Sequence, residues 1–435
     1  MDDRRRLLQD LFRAAVAAVD ARESVKKALQ SKVGRPFDKL RMDRAWREQS
    51  VTGTAPIEVI AVGKAAIGMT EGALDIHGDR ISRAVIVTTA ADAKPQNPPP
   101  DFEYHEAAHP IPDSRSFEAG QRLLAFLKES PPETEYLFLI SGGTSSLVEV
   151  PRSGITPDEI IELNRWLLGS GLDIRAMNAI RKTLSSIKGG GLLNHVSNHR
   201  TTALYISDVP GDRIADIGSG PLGPGDSLSL PPVPEWVSEL IAMAGQPVPV
   251  VNDVQIERMI VAQLSDAIAG VAAEARKRGF KVFVHETPLN GEADEAGASI
   301  AEQLLHAPPG IHMWGGETVV RLPPNPGRGG RNQSLALAAA IILEGRHDIA
   351  LLAAGTDGKD GPGNAAGAII DGGTVARGRA AGPDAKQALA QADAETFLEA
   401  SGDLLCTGPT GTNVTDVVIA LKSSAYGSSA GIQVA

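Results

Sequence analysis

Short apolar runs alternate with longer stretches of helical periodicity along almost the whole chain. IEVIAV (57–62), AVIVT (84–88), YLFLI (136–140) and TALYI (202–206) are near-continuous apolar runs of strand length. Runs of this kind, separated by helices, predict strands buried on both faces of a mostly parallel sheet. Residues 116–128 and 157–168 carry the spacing of amphipathic helices. Leu7, Leu8, Leu11, Phe12, Ala15, Val16 and Val19 predict an N-terminal helix packed on its own domain, with Arg4, Arg5 and Arg6 at a solvated end. A helix is expected over 252–277. Strands are expected at 281–285, 312–314, 318–321, 350–354 and 417–421.

The predicted strands end in Gly- or Ser-rich junctions: Gly63-Lys64, Ser141-Gly142-Gly143 and Ser207-Asp208 in the first half, Gly315-Gly316-Glu317 in the second. The carboxyl ends of parallel strands are where doubly wound sheets bind ligands. Between 221 and 234 the segment PLGPGDSLSLPPVP reads as a linker or rigid surface loop. It divides the chain into an N-terminal Rossmann-like α/β domain (1–235), doubly wound on a mostly parallel sheet, and a C-terminal α/β domain (236–435).

The chain has 435 residues, too many for one hydrophobic core and comfortable for two. A net charge of −11 argues against a nucleic-acid or anionic-membrane partner. No apolar run approaches a membrane span, and the N-terminus lacks a signal-peptide pattern, so a cytoplasmic protein is expected. The single cysteine, Cys406, excludes an internal disulfide and a multi-cysteine metal site. It reads as a small buried apolar residue before a turn.

Two familiar nucleotide signatures are absent. There is no GxxxxGK[ST], and Gly63-Lys64-Ala65-Ala66-Ile67-Gly68, although it opens a helix after a strand, is not GxGxxG. His105-Glu106-Ala107-Ala108-His109 matches the zinc motif HExxH, but Pro110 and Pro112 oppose the helix that would stack the two histidines. Lys64 at a strand-to-helix turn is either a phosphate-facing charge or a surface lysine. Ser141, Gly142, Gly143, Thr144, Ser145 and Ser146 combine two glycines with four hydroxyls, which suits an anion nest better than a plain turn. Lys188 with Gly189 and Gly190 closes a cationic stretch begun at Arg181, either a capped helix end or a close approach to a ligand. Asp208, Asp212, Asp357 and Asp360 occupy turns, where a carboxylate can hold Mg²⁺, orient a hydroxyl, or simply make the turn. Gly327-Arg328-Gly329-Gly330-Arg331-Asn332 opens an Ala/Leu-rich helix, and two arginines on glycines at a helix start favour anion binding.

Together these junctions resemble the glycerate 2-kinase family, whose C-terminal half is the MOFRL domain. VGKAAIGM (62–69), HPIPD (109–113), SGGTSSL (141–147), RKTLSSIKGGGL (181–192), ISDVPGD (206–212), GSGP (218–221), GGET (315–318), GRGGRNQ (327–333), AAGTDGKDGP (353–362) and GPTGTNVTD (408–416) carry the likeness in order along nearly the whole chain. The resemblance implies two α/β domains with the active site in the cleft between them, the second of MOFRL type. It implies ATP as donor, Mg²⁺ as the metal, D-glycerate as the small-molecule acceptor, and Lys64 and Arg331 as the catalytic pair. His109, Asp212, Glu317 and Asn332 are expected near the substrate or behind the residues that touch it. Gly63, Ser141 to Ser146, Lys188, Gly189 and Gly190 are expected at the nucleotide phosphates, and Asp208 and Asp357 at the metal. The oligomeric state is left open, a homodimer included.

Two other readings compete. Members of this family are often labelled hydroxypyruvate reductases, but an NAD(P)H enzyme would need GxGxxG and a proton-donating pair after a Rossmann unit. A non-catalytic sugar-acid or nucleotide-binding module would not need so many charged residues at strand ends.

Overall fold

The computed structural model describes residues 3–30, 55–89, 99, 101–196, 199–224, 229–245 and 256–424. In chain order the helices are α1 (Asp3–Ala18), α2 (Ala21–Gln30), α3 (Ala66–His77), α4 (Ser114–Glu129), α5 (Thr144–Leu147), α6 (Pro157–Gly169), α7 (Ile174–Leu184), α8 (Glu235–Ala244), α9 (Leu264–Lys277), α10 (Ala293–His306), α11 (Arg331–Ile342), α12 (Thr374–Ala380), α13 (Ala385–Ala390) and α14 (Ala394–Ser401). The strands are β1 (Ile57–Val62), β2 (Ile81–Thr88), β3 (Phe102–Glu106), β4 (Glu135–Ile140), β5 (Thr201–Ile206), β6 (Ile256–Ala262), β7 (Val282–Val284), β8 (Gly310–Gly316), β9 (Ile349–Gly355), β10 (Gly367–Asp371), β11 (Leu404–Leu405) and β12 (Asp416–Lys422). The chain forms two compact units, one of residues 20–263 and one of residues 1–19 with 264–435.

The unit of residues 20–263 is built on a parallel sheet in the order β3-β2-β1-β4-β5-β6. That order is the one of dinucleotide-binding folds, and it reverses between β1 and β4. β1 is buried at every position, as expected of a strand with helices over both faces. Ile60, Val62, Phe138, Ile140 and Tyr205 form the heart of its core. α6, α7 and α8 share a second apolar cluster that includes Ile160, Leu163, Ile180, Leu184 and Val237. Their starts are written locally: Thr156 and Glu159 make a reciprocal cap ahead of Pro157, and Asp173 caps α7.

The other unit carries a mixed sheet in the order β11-β10-β9-β12-β8-β7, with β12 antiparallel to both neighbours and β7 parallel to β8. α11 is buried over residues 332–340, which explains why its sequence is small and apolar with no polar face. α1 packs against α9, β9 and β12 of this unit, burying Leu8, Leu11, Phe12 and Ala15.

Several expectations need correction. The unit boundary falls at 263/264, not 235/236, because β6 adds to the edge of the parallel sheet beside β5. Residues 252–255 of the expected helix lie outside the described residues, and 256–262 are β6, so only 264–277 is helical. Residues 318–321 form no strand. Val319 makes one isolated bridge to Glu292, and Pro323-Pro324 lack the N–H groups to extend it. The Pro-rich segment is not a linker between units. Leu222 is fully buried and its carbonyl accepts from Arg258 Nε at 2.7 Å, while residues 225–228 are outside the described set. The N-terminal helix packs on the second unit, not the first. Its arginines are not all solvated: Arg5 pairs with buried Asp403 and donates to the Ile369 carbonyl at 2.9 Å. Cys406 is exposed rather than buried.

Candidate functional site

The chemistry of the first unit gathers at the carboxyl ends of β1, β3, β4 and β5. After β1 the chain turns through Gly63, whose φ of +128° suits glycine, and a Cβ there would lie 2.1 Å from Ser141 Oγ. Lys64 N donates to the Gly142 carbonyl at 2.9 Å and Ala65 N to Ser141 Oγ at 3.1 Å. The turns after β1 and β4 are thereby stitched together at the point where the strand order reverses. Ala65 stands where a dinucleotide fingerprint has its second glycine, and its N–H is already engaged. That removes the close backbone approach a pyrophosphate would use.

Gly143 is left-handed at φ +88° and opens α5. A Cβ at Gly143 would lie 3.2 Å from His109 Cδ2 and 3.5 Å from Lys64 Cγ. Lys64, His109 and this turn therefore meet, although 79 residues separate the lysine from the glycine in sequence. Thr144 Oγ1 donates within the turn, lying 2.8 Å from the Val62 carbonyl. Ser146 Oγ donates to the Gly143 carbonyl at 3.1 Å. The backbone N–H groups of Gly142 and Gly143 have no protein acceptor among the described residues. Successive donors of this kind make a concavity for an anion. His105 lies in strand β3 and pairs with Glu103 at 3.5 Å. Histidines 105 and 109 are thus not stacked on a helix, and the HExxH likeness has no geometric basis.

Lys188, Gly189 and Gly190 do different work from that expected. Lys188 is 4% exposed and forms an ion pair with buried Glu149. Burial holds the Lys188 ammonium below its ordinary pKa, against the pull of Glu149. Gly189 N donates to the Ser219 carbonyl at 3.0 Å and Gly190 N to the Gly220 carbonyl at 2.8 Å. These groups brace the loop of residues 216–221 and are not available to phosphate. Asp208 and Asp212, both half-buried, follow β5, with Asp212 left-handed at φ +53°.

On the second unit, Arg331 opens α11. Its Nε and Nη2 hold both carboxylate oxygens of Asp416, the Nη2 contact at 3.0 Å, and its Nη1 lies 2.7 Å from Glu317 Oε1. Asp416 is 3% exposed. Burial opposes the charge of Arg331, but Asp416, Glu317 and Asp360 outweigh it and raise its pKa further. Asp360, read from sequence as a carboxylate for Mg²⁺, for a hydroxyl or for a turn, caps α11. It accepts from Asn332 N at 3.1 Å and Gln333 N at 2.8 Å. Burial, with repulsion from Asp416, pushes its carboxyl up to about 7 despite those bonds. Asn332 is buried and spends its side-chain amide on Asp360, 3.3 Å away, so it supports the helix start. Arg328 pairs with Glu395, not with Arg331's partners. Asp357 is half-buried and accepts from Lys359 N at 3.0 Å in a tight turn. The helix start that reads as an anion site is thus already lined with the protein's own carboxylates. Asp416 as anchor of Arg331, Glu149 as partner of Lys188, and Ser219 under the Ser145 loop were missed from sequence. Each lies far along the chain from its partner, and only the triplet of glycines after Lys188 hinted at any of them.

No helix among the described residues is long and apolar enough to cross a membrane. The chain matches the family described as "Domain of unknown function (DUF4147)" over residues 7–230 and the MOFRL family over residues 310–416. It is 38% identical to the D-glycerate 2-kinase of Thermotoga maritima, covering 92% of this chain and 99% of that protein. It is 33% identical to the glycerate 2-kinase of Pyrococcus horikoshii, covering 85% and 88%. The crystal structure of glycerate kinase from Thermotoga maritima superposes with a TM-score of 0.77 at 36% identity, covering 96% of this chain and 99% of that one. With its two α/β units and these matches over nearly its full length, the chain belongs to the MOFRL-containing glycerate 2-kinase family.

Proposed function

We propose that this chain transfers the γ-phosphoryl group of ATP to D-glycerate, giving 2-phosphoglycerate and ADP. The observation that carries the reading is the meeting of Lys64, His109 and the Gly143 turn at the switch point of a parallel sheet, where β1 and β4 diverge. Phosphoryl transfer needs alignment and neutralisation of charge more than covalent help. The N–H groups of Gly142 and Gly143 would take phosphate oxygens, and Lys64 would stabilise the group in flight. Arg331, its fork oriented by Asp416, would bind an anionic group of substrate in exchange for the more exposed Glu317. Mg²⁺ would neutralise the nucleotide phosphates, and Asp208, half-buried after β5, is a carboxylate that would hold it. A hydride-transferring alternative has nothing comparable to rest on, since Ala65 closes the fingerprint position.

The test is direct. With D-glycerate, ATP and Mg²⁺ the protein is expected to form ADP and 2-phosphoglycerate. With hydroxypyruvate and NADH or NADPH the nicotinamide absorbance is expected to stay constant. Lys64→Ala is expected to lower kcat by about 10²–10³ with a smaller change in KM. Arg331→Ala would strand buried Asp416 without a counter-ion, so Arg331→Lys is the cleaner probe, with a comparable loss in kcat and a preserved fold. Oxidation of the nicotinamide without ADP formation would overturn the assignment.

A further inference from the structure

Ser145 sits in the loop that the kinase reading gives to phosphate, where a serine is ordinarily expected to donate its hydroxyl hydrogen. Its surroundings specify the opposite. Asn178 Nδ2, on α7, donates to the Asp216 carbonyl at 3.3 Å. A carbonyl can only accept, so this contact fixes the amide with Oδ1 on the other side. Asn178 Oδ1 there lies 2.9 Å from Ser219 Oγ, and because Oδ1 cannot donate, the Ser219 hydroxyl must. Ser219 has one hydroxyl hydrogen. Its oxygen is 2.8 Å from Ser145 Oγ, so in that contact Ser145 is the donor. Asn178 is 2% exposed and Ser219 1%, which leaves water little access to reset the order. Lys188 and Glu149 hold the same loop from behind, through Gly189 N on the Ser219 carbonyl.

From this counting of hydrogens we infer that Ser145 presents only lone pairs to the site, and that it accepts a hydrogen bond from a hydroxyl of the small hydroxy acid instead of donating to phosphate. The inference rests on the kinase reading for the identity of that acid. Asn178 and Ser219 are positioning residues: neither reaches the ligand, and both set which way Ser145 faces. Phosphate oxygens have no hydrogen to offer in their ionised form, so an acceptor-only hydroxyl beside the Gly142 and Gly143 N–H groups separates the two ligands chemically. One part of the loop supplies donors, and the other supplies an acceptor.

The experiment is calorimetric binding to the full-length protein, with a non-hydrolysable ATP analogue titrated alone and then present at saturation. D-glycerate is compared with D-lactate, which lacks the 3-hydroxyl, and with 3-hydroxypropionate, which lacks the 2-hydroxyl. Ser145→Ala is expected to weaken D-glycerate about tenfold, the scale of one lost hydrogen bond, and to leave the nucleotide analogue within twofold. Ser145→Ala is also expected to lose the wild-type preference for D-glycerate over one of the two deoxy acids, and Ser145→Thr to restore it. Ser219→Ala frees the Ser145 hydrogen and is expected to weaken D-glycerate while leaving or improving nucleotide affinity, a split that simple loosening of the loop would not give. A tenfold loss of nucleotide affinity in Ser145→Ala with glycerate binding unchanged would overturn the inference. So would retention of both preferences. Failure of the kinase reading shows separately, as no phosphoglycerate from the wild-type protein.

Discussion

Lys188 and Arg331 each stand beside glycines, and in the sequence both read as cations waiting for an anion. Their surroundings separate them. Lys188 is sealed against Glu149, 39 residues away, in a pocket that excludes water. Arg331 keeps about a third of its side chain exposed while Asp416 and Glu317 fix its fork. A buried pair of this kind contributes chiefly by not being broken. Lys188→Met should therefore strand a buried carboxylate and lower stability by about 3–5 kcal/mol, whereas Lys188→Met with Glu149→Gln should recover much of that loss. Chemical denaturation of the three proteins measures it, and a single variant as stable as wild type would contradict the buried pairing. Such partners were not legible because charge pairing at long range leaves no local periodicity. The junction that carries Lys64 was legible, since it joins a strand, a glycine and a helix within ten residues.

At the scale of elements, sequence reading worked where burial is uniform and failed where it is mixed. β1, β2, β4 and β5 are near-continuously apolar because helices cover both faces, and each was found. β6 is an edge strand bearing Glu257 and Arg258, with only part of its length buried, and those charges disguised it as the start of a helix. The start of α11 was found, but its cap was not, because Asp360 comes from a turn 28 residues later. That cap has a consequence for pH. The Asp360 carboxyl is raised to about 7, above the ordinary 3.8, so the folded protein holds a proton there that the unfolded chain releases. Its contribution to stability is complete below about pH 4 and lost as pH rises through about 7. Asp360→Asn should flatten this part of the profile by an amount on the order of 1–4 kcal/mol between pH 4.5 and 7.5. Denaturant midpoints of wild type and variant across that range test it; parallel profiles would contradict it.

At the scale of the molecule, two α/β units of the expected kind were legible from the alternation of strands and helices. The discontinuity of one unit was not. An amphipathic stripe says that α1 must bury Leu8, Leu11 and Phe12, but not which sheet receives them. Deleting residues 1–19 should uncover α9 and the faces of β9 and β12 beneath α1. Each buried side chain of this size is worth roughly 1.5–3 kcal/mol, so the unit of residues 264–435 should open more readily. Amide hydrogen exchange should accelerate in β9 and β12 and hold steady in β1 and β4. Acceleration in β1 and β4 instead would place the helix on the wrong unit.

The same discontinuity sets an order of events during synthesis. Residues 20–263 hold all the strands of their own sheet, so that sheet can close while the ribosome is still reading the message. α1 emerges well before its partner strand and must wait for β12, about 400 residues later, or roughly 20–80 s at 5–20 residues per second. Throughout that interval an apolar helix stripe travels on the nascent chain without the strand that covers it. Arg4, Arg5 and Arg6, which end in contacts such as Arg5 with Asp403, meanwhile supply charge beside the stripe and discourage premature association.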